Sequence, residues 1–286
     1  MENKSKGIVL ILLSALFFAL MAATVKSLDN IPTAEKIFFR NIFGFIIAFS
    51  MVRKKKKPLL GNNIPILLLR STFGLLGVAC YFYALSQVRL ADAVILNKMS
   101  PFFVLVLSAI FLKEKIKKLQ FVSLILAVGG AMLVIKPEFN SSILPSVIAL
   151  GSAFFAGAAY TTIRHLRHTD AAETIVLYFT FVSTVVMIPF MIFGQFVVPS
   201  PTEILGLLGL GLFATTAQFL MTNAYRFAPA GELSIYTYTN IVFSTFIGLI
   251  IWAEVPDSIT IIGATLIVAA GFFNYYANRK VKLKGN

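Results

Sequence analysis

The chain has 286 residues, of which 58% are hydrophobic and only 13% charged, with a mean hydropathy of +0.86. Soluble domains carry about 25% charged residues, and half that share cannot cover a soluble surface; an ordinary cytosolic enzyme, a disordered chain and a nucleic-acid binder are excluded. A net charge of +13 means an acidic partner if it forms a patch, and membrane topology if it is spread over loops.

Cys80 is the single cysteine, and His165 and His168 are the only histidines. An intrachain disulfide is impossible, and no metal centre, catalytic cluster or cofactor is expected. Runs of about 20 apolar residues span a bilayer as helices. Read between polar breaks, such runs cover 8–25, 34–52, 65–86, 91–112, 118–136, 145–163, 171–193, 203–225, 232–252 and 258–278. The sequence therefore predicts an all-α membrane protein of ten transmembrane helices, with short loops and no room for a soluble domain. Proline marks most connections, and only Pro101 and Pro189 fall well inside a span.

Taken in order, the first span follows Lys4 and Lys6 and resembles a signal peptide. Its length and a second copy later in the chain argue for a retained helix. The second span carries Arg40, which either snorkels outward or pairs with Asp92 on the same side. The third carries Arg70 near its inner end, within reach of water, and Tyr81 and Tyr83 near its outer end. Arg40, Arg70, Asp92 and Glu232 are read as gating or ion-pair residues. The fourth span holds Lys98, eight residues past Leu90 and so about 12 Å deep in a core about 30 Å thick. A lysine there is a functional candidate by default; its ammonium is expected to meet a substrate carboxylate or phosphate, a structural partner, or cavity water. Asn97 precedes it.

Tyr160 in the sixth span and Gln218 and Asn223 in the eighth are polar residues expected to face a cavity. So are Tyr236, Tyr238 and Asn240 in the ninth, where Tyr236 and Asn240 share a helix face. Together with Lys98, Asn97 and Tyr83 they make up the expected substrate-binding set. No carboxylate lies at mid-span, so no buried proton relay is visible.

With both termini inside, 18 Lys and Arg residues fall in inner segments and 4 in outer ones, a strong positive-inside bias. The run 53–57 is a topology signal. The halves also repeat. At an offset of 138, Ser14-Ala15 falls on Ser152-Ala153, Lys26 on Arg164 and Ala34-Glu35 on Ala172-Glu173; at 140, Ala84 falls on Ala224, Asp92 on Glu232 and Glu114 on Glu254. Five spans per half is an odd number, so the halves enter the membrane with opposite orientation. Such inverted repeats are typical of secondary transporters. Small residues four apart in the first helix of each half (Ala15, Ala19, Ala23; Ala153, Gly157, Thr161) permit close helix packing.

Leu90-Ala91-Asp92-Ala93, Ser100-Pro101-Phe102-Phe103 and Phe111-Leu112-Lys113-Glu114-Lys115, with Gly129-Gly130 and Lys136-Pro137, resemble the EamA-type drug/metabolite transporters. A second copy runs through Asn223-Ala224-Tyr225, Pro229-Ala230-Gly231-Glu232 and Trp252-Ala253-Glu254. The resemblance implies two inverted five-helix repeats, 1–138 and 143–286, in the cell (inner) membrane, with both termini cytoplasmic. It also implies a central cavity lined by the first, third, fourth, sixth, eighth and ninth helices. The expected function is secondary transport, as an exporter or exchanger, of a small polar metabolite such as an amino acid or nucleotide-like compound. A flippase for lipid or lipid-linked head groups is the alternative. The expected partners are a small-molecule metabolite and the bilayer, without nucleic acid, in a monomer or homodimer. Two features depart from the family pattern: Lys98 stands where a neutral residue is usual, and Asn240-Ile241 replaces Ser100-Pro101 in the second copy, which predicts an asymmetric proline kink.

Overall fold

The computed structural model describes residues 2–111, 113, 116–136, 143–166, 169–194, 196–227 and 233–282. Among the described residues there are helices and no strands. The helices are α1 (Glu2–Ser27), α2 (Thr33–Lys54), α3 (Ile64–Gln87), α4 (Leu90–Asn97), α5 (Ser100–Phe111) and α6 (Lys118–Ile135). They continue with α7 (Leu144–Leu166), α8 (Ala172–Phe193), α9 (Pro201–Phe227), a 3-10 turn (Ser234–Tyr238), α10 (Thr239–Trp252) and α11 (Ser258–Lys282). Nine segments of the described chain are long and apolar enough to cross a bilayer, with α4 and α5 together forming one of them. This is a multi-pass membrane protein. α2 is as long as the others but holds Glu35, Lys36, Arg40, Arg53 and Lys54, and it falls outside those nine.

Local chemistry sets the helix ends. Asn63 caps α3, its side chain accepting from the Ile66 amide, with proline in the first turn where a missing N–H costs nothing. Ahead of α9, the Glu203 carboxylate accepts from both the amide and the hydroxyl of Ser200 (2.8 and 2.7 Å), a capping box. Asp257 caps α11 by accepting from the Thr260 amide at 2.9 Å.

The most extensive packing joins α1 to α9, α3 to α7, α6 to α11 and α2 to α8. Each pairs a helix of the first half with one of the second. Of the small-residue stripes, Ala15, Ala19, Ala23 and Ala153 are buried. A Cβ on Gly77 of α3 would sit 3.2 Å from the Ala156 amide nitrogen of α7. α6 and α11 meet through their backbones, since a Cβ on Gly130 would lie 2.6 Å from the Gly263 carbonyl oxygen. Pro189 sits inside α8 without ending it.

The fourth span is not one helix. α4 ends at Asn97, Lys98 is its C-cap, and α5 starts at Ser100. The ninth span breaks too, as a 3-10 turn up to Tyr238 followed by α10 from Thr239. At the offset of 140, Lys98 falls on Tyr238 and Ser100 on Asn240, so the breaks share a register. The two differ in kind: Lys98 and Met99 interrupt the fourth span just ahead of Pro101, whereas the 3-10 turn of the ninth runs directly into α10 and has no proline.

Candidate functional site

α4, which ends at the first break, packs on α10, which starts at the second. Polar side chains around them tie the elements together. Asn97 donates to the Ser152 hydroxyl of α7 (2.9 Å), which donates to the Ala149 carbonyl (2.6 Å). On the other side, Asn240 donates to the Ala15 carbonyl of α1 (2.9 Å), and Ser14 donates to the Ala217 carbonyl of α9 (2.7 Å). Lys98, next to the first of these braces, is partly buried, and its ammonium has no hydrogen bond or ion pair to any described residue.

The remaining residues of the expected substrate-binding set are scattered around this core. Tyr238 is buried, its ring lying where a Cβ on Gly271 of α11 would come within 2.6 Å. Tyr236 packs beside Ile11, Ala224 and Leu233. Asn223 donates to the Phe219 carbonyl of its own helix at 2.9 Å, and Gln218, also on α9, is engaged in an interaction of its own. Tyr83 and Tyr160 are 37% and 49% exposed. Glu232 lies outside the described residues, as do Glu114 and His168. Among the described residues no group of three His, Cys, Asp or Glu side chains is placed to hold a metal.

The arginines are placed differently from the sequence reading. Arg40 does not pair with Asp92; its Nη1 donates to the Asn41 side-chain oxygen at 3.0 Å. Arg70 is largely buried, at 9% exposure. Both guanidiniums lie over the ring of Phe179 in α8, at 5.9 Å for Arg40 and 4.2 Å for Arg70. Glycine makes the room: a Cβ on Gly74 would stand 3.0 Å from Arg70 Nη1 and 2.8 Å from the Phe179 ring. The Tyr160 phenol of α7 lies within electrostatic range of both cations. Phe179 carried no signal in the sequence, where it is one of 28 phenylalanines.

Asp92 lies with its other neighbours at the end of the bundle where α1 finishes. One of its oxygens is 3.9 Å from Arg89 Nε, and the other is buried without a partner. Around it is a charged cluster. Lys26 pairs with Glu254 at 2.8 Å and donates to the Val88 carbonyl at 2.7 Å. Glu254 accepts from the Leu90 amide at 2.8 Å. Asp257 pairs with Arg89 (3.3 Å) and with Lys136. The Lys136 ammonium and the Thr260 amide hold the Asp257 carboxyl well below the usual carboxylate range. The opposite end has its own ties: Lys55 to Glu173 at 2.5 Å, and the Asn62 amide to Asp170 at 2.6 Å.

The chain is similar to known proteins along most of its length. The EamA-like transporter family matches residues 5–136 and again 144–276. A pseudopaline exporter from Pseudomonas aeruginosa, CntI, is 38% identical over 267 residues, covering 92% of this chain and 94% of the exporter. An S-adenosylmethionine uptake transporter from Rickettsia bellii is 28% identical over 254 residues, covering 87% and 86%. A solved crystal structure at 16% identity superposes with a TM-score of 0.67 over 97% of this chain and 99% of its own, which establishes a shared fold. With its apolar helices and its cross-packed halves, this chain belongs to the EamA-like transporter family and is a transporter, not an enzyme.

Proposed function

We propose that the protein is a secondary carrier, an exporter or exchanger of a small polar metabolite, working by alternating access between two inverted five-helix repeats of a ten-span bundle. The observation that carries this reading is the pair of breaks at Lys98 and Tyr238. Discontinuous helices at matching positions of two halves expose backbone groups to a solute near the bilayer midplane. The ammonium of Lys98 at one break, without a partner among the described residues, is the group we assign to the solute's acidic group; Asn97 precedes it in the chain, and Tyr236 and Asn240 of the ninth span are assigned to the rest of the solute. The repeats are taken as 1–138 and 143–286, in the cell membrane, with both termini on the cytoplasmic side that the 18-to-4 charge split favours. In that orientation the cluster around Lys26 and Glu254 seals the outer face.

Purified protein in proteoliposomes tests the reading. Saturable uptake of a labelled amino acid or nucleotide-like solute that is driven by unlabelled solute inside the vesicles supports a carrier; leakage that neither saturates nor exchanges rejects it. Cysteines placed at Asp92 and Glu232 should label from opposite sides, and labelling from one side refutes the inversion.

A second reading, a flippase for lipid head groups, draws on a groove of about 270 Å³ lined by Phe43 and Ile47 of α2 and by Thr215 and Phe219 of α9. It opens between helices and is almost wholly apolar. Lipid scrambling without solute exchange in the same vesicles favours this alternative.

A further inference from the structure

Arg40 and Arg70 come from different helices and converge on one aromatic ring. A cation over a ring face is attracted by its quadrupole, but that attraction does not supply hydrogen-bond acceptors for the guanidinium N–H donors. Among the described residues, Arg40 Nε, Arg70 Nε and Arg70 Nη1 are all buried without a hydrogen-bond partner. Ser183, one helical turn beyond Phe179 on α8, also has a buried, unpartnered hydroxyl. No carboxylate of a described residue lies within ion-pair distance of either arginine, and the other ionisable group facing them is the Tyr160 phenol.

Two neighbouring cations without a counter-ion destabilise an interior, and orphaned guanidinium donors add to that cost. A purely structural arginine would be paired with an acid or with backbone carbonyls. The missing partner has definite chemistry. It accepts several hydrogen bonds, carries up to two negative charges, and is compatible with the planar fork of arginine, which suits carboxylate and phosphate oxygens.

We propose that Arg40 and Arg70 together bind the oxyanion of the transported solute, either a pair of carboxylates or one phosphate group, against the face of Phe179. The assignment rests on the carrier reading above and narrows its substrate class to anions. It adds a second anchoring point to Lys98. α7 borders both places: Tyr160 faces the arginines, and Gly157, one turn earlier, is close-packed on α5, where its Cβ would meet the Ser100 carbonyl at 3.2 Å.

The test is thermal unfolding of the full chain in neutral detergent with succinate, citrate or inorganic phosphate, against chloride at matched ionic strength. Wild-type protein should be stabilised saturably by at least one oxyanion; a carboxylate-only or phosphate-only response identifies which group is bound. Arg40→Gln and Arg70→Gln should each weaken the apparent affinity at least tenfold. Both should also melt higher than wild type without ligand, because an unmatched cation has been removed. Arg70→Lys should keep a weaker response. Thr265→Val, on the exposed face of α11, should respond like wild type.

The proposal is overturned if no oxyanion exceeds chloride, or if both glutamine variants respond like wild type. It is overturned equally if they melt lower without ligand, which marks the guanidiniums as structural. Stabilisation by phosphatidylglycerol but not phosphatidylcholine micelles, without any response to free anions, assigns the arginines to a lipid head group and also overturns it. Binding read in detergent is independent of transport: a protein that binds the anion but does not exchange it across vesicles refutes the carrier reading alone.

Discussion

Lys26 Nζ lies 2.8 Å from Glu254 Oε1, which pins the last turn of α1 to the residue just beyond α10. The other oxygen of the same carboxylate takes the Leu90 amide that opens α4, and the ammonium also stands 5.6 Å from the Trp252 ring centre. Gly248 leaves the space for this fold-back, since a Cβ there would be 3.2 Å from Glu254 Oε2. Three elements from both halves are thus closed by one carboxylate.

Because these side chains are only 13% and 16% exposed, the pair is poorly screened. Lys26→Met, Glu254→Gln and the double change should show a coupling of about 1 kcal/mol in thermal unfolding. The exchanged pair Lys26→Glu with Glu254→Lys should not restore stability, because a lysine at 254 cannot accept the Leu90 N–H. Full recovery in the exchanged protein would contradict the three-way role.

Asp257 gives a pH dependence of known sign. Its carboxyl is held low, chiefly by the Lys136 ammonium and then by the Thr260 amide. A group with a depressed folded-state pKa contributes stability that is present above its unfolded value, about 3.9, and is lost as pH falls through the folded value. Wild type should therefore melt higher than Asp257→Asn by a constant margin from pH 7 to about pH 5. The margin should shrink below about pH 4. A margin that widens on acidification would reverse the sign.

The seam between α6 and α11 separates two adjacent glycines. A Cβ on Gly130 would collide with the Gly263 carbonyl, whereas a Cβ on Gly129 meets nothing within 4 Å. Gly130→Ala should cost about 1–3 kcal/mol through forced separation of the helices. Gly129→Ala should be neutral or stabilising by about 0.5–1 kcal/mol through helix propensity. Equal melting temperatures for the two variants would contradict the close approach.

Asn97 depends on Ser152 as its acceptor. Ser152→Ala leaves the amide donor unmet in a low-dielectric interior and should cost about 1–3 kcal/mol. Replacing both residues, Asn97→Leu with Ser152→Ala, should recover part of that loss. A double variant weaker than the sum of the single changes would argue that the amide has another partner.

The apolar runs made nine spans and their order readable from the sequence, and the mid-span lysine drew attention to position 98, where the fourth span breaks. The convergence of Arg40 and Arg70 was not readable. Counting residues along a helix locates a Cα, and it assigned these two to opposite halves of the bilayer. A guanidinium reaches well beyond its Cα, and both side chains turn toward a phenylalanine on a third helix. Lys26 and Glu254 were each matched to a counterpart in the other half, Arg164 and Glu114, but nothing local says that they meet each other. The break at Tyr238 was missed because no proline marks it.

The dominant seams all run between halves, while packing among α1 to α6 alone is sparse. Neither half encloses an interior by itself. The last seam, α6 on α11, cannot form until the final span has been synthesised. The first spans must therefore wait in the bilayer for their partners, and their faces are buried in succession as α7, α8, α9 and finally α11 arrive. Co-expressed halves, 1–138 and 143–286, have the surfaces to find one another there. A chain truncated after α9 retains three of its four seams but leaves the faces of α4 and α6 that pack on α10 and α11 against lipid, open to quality-control proteases.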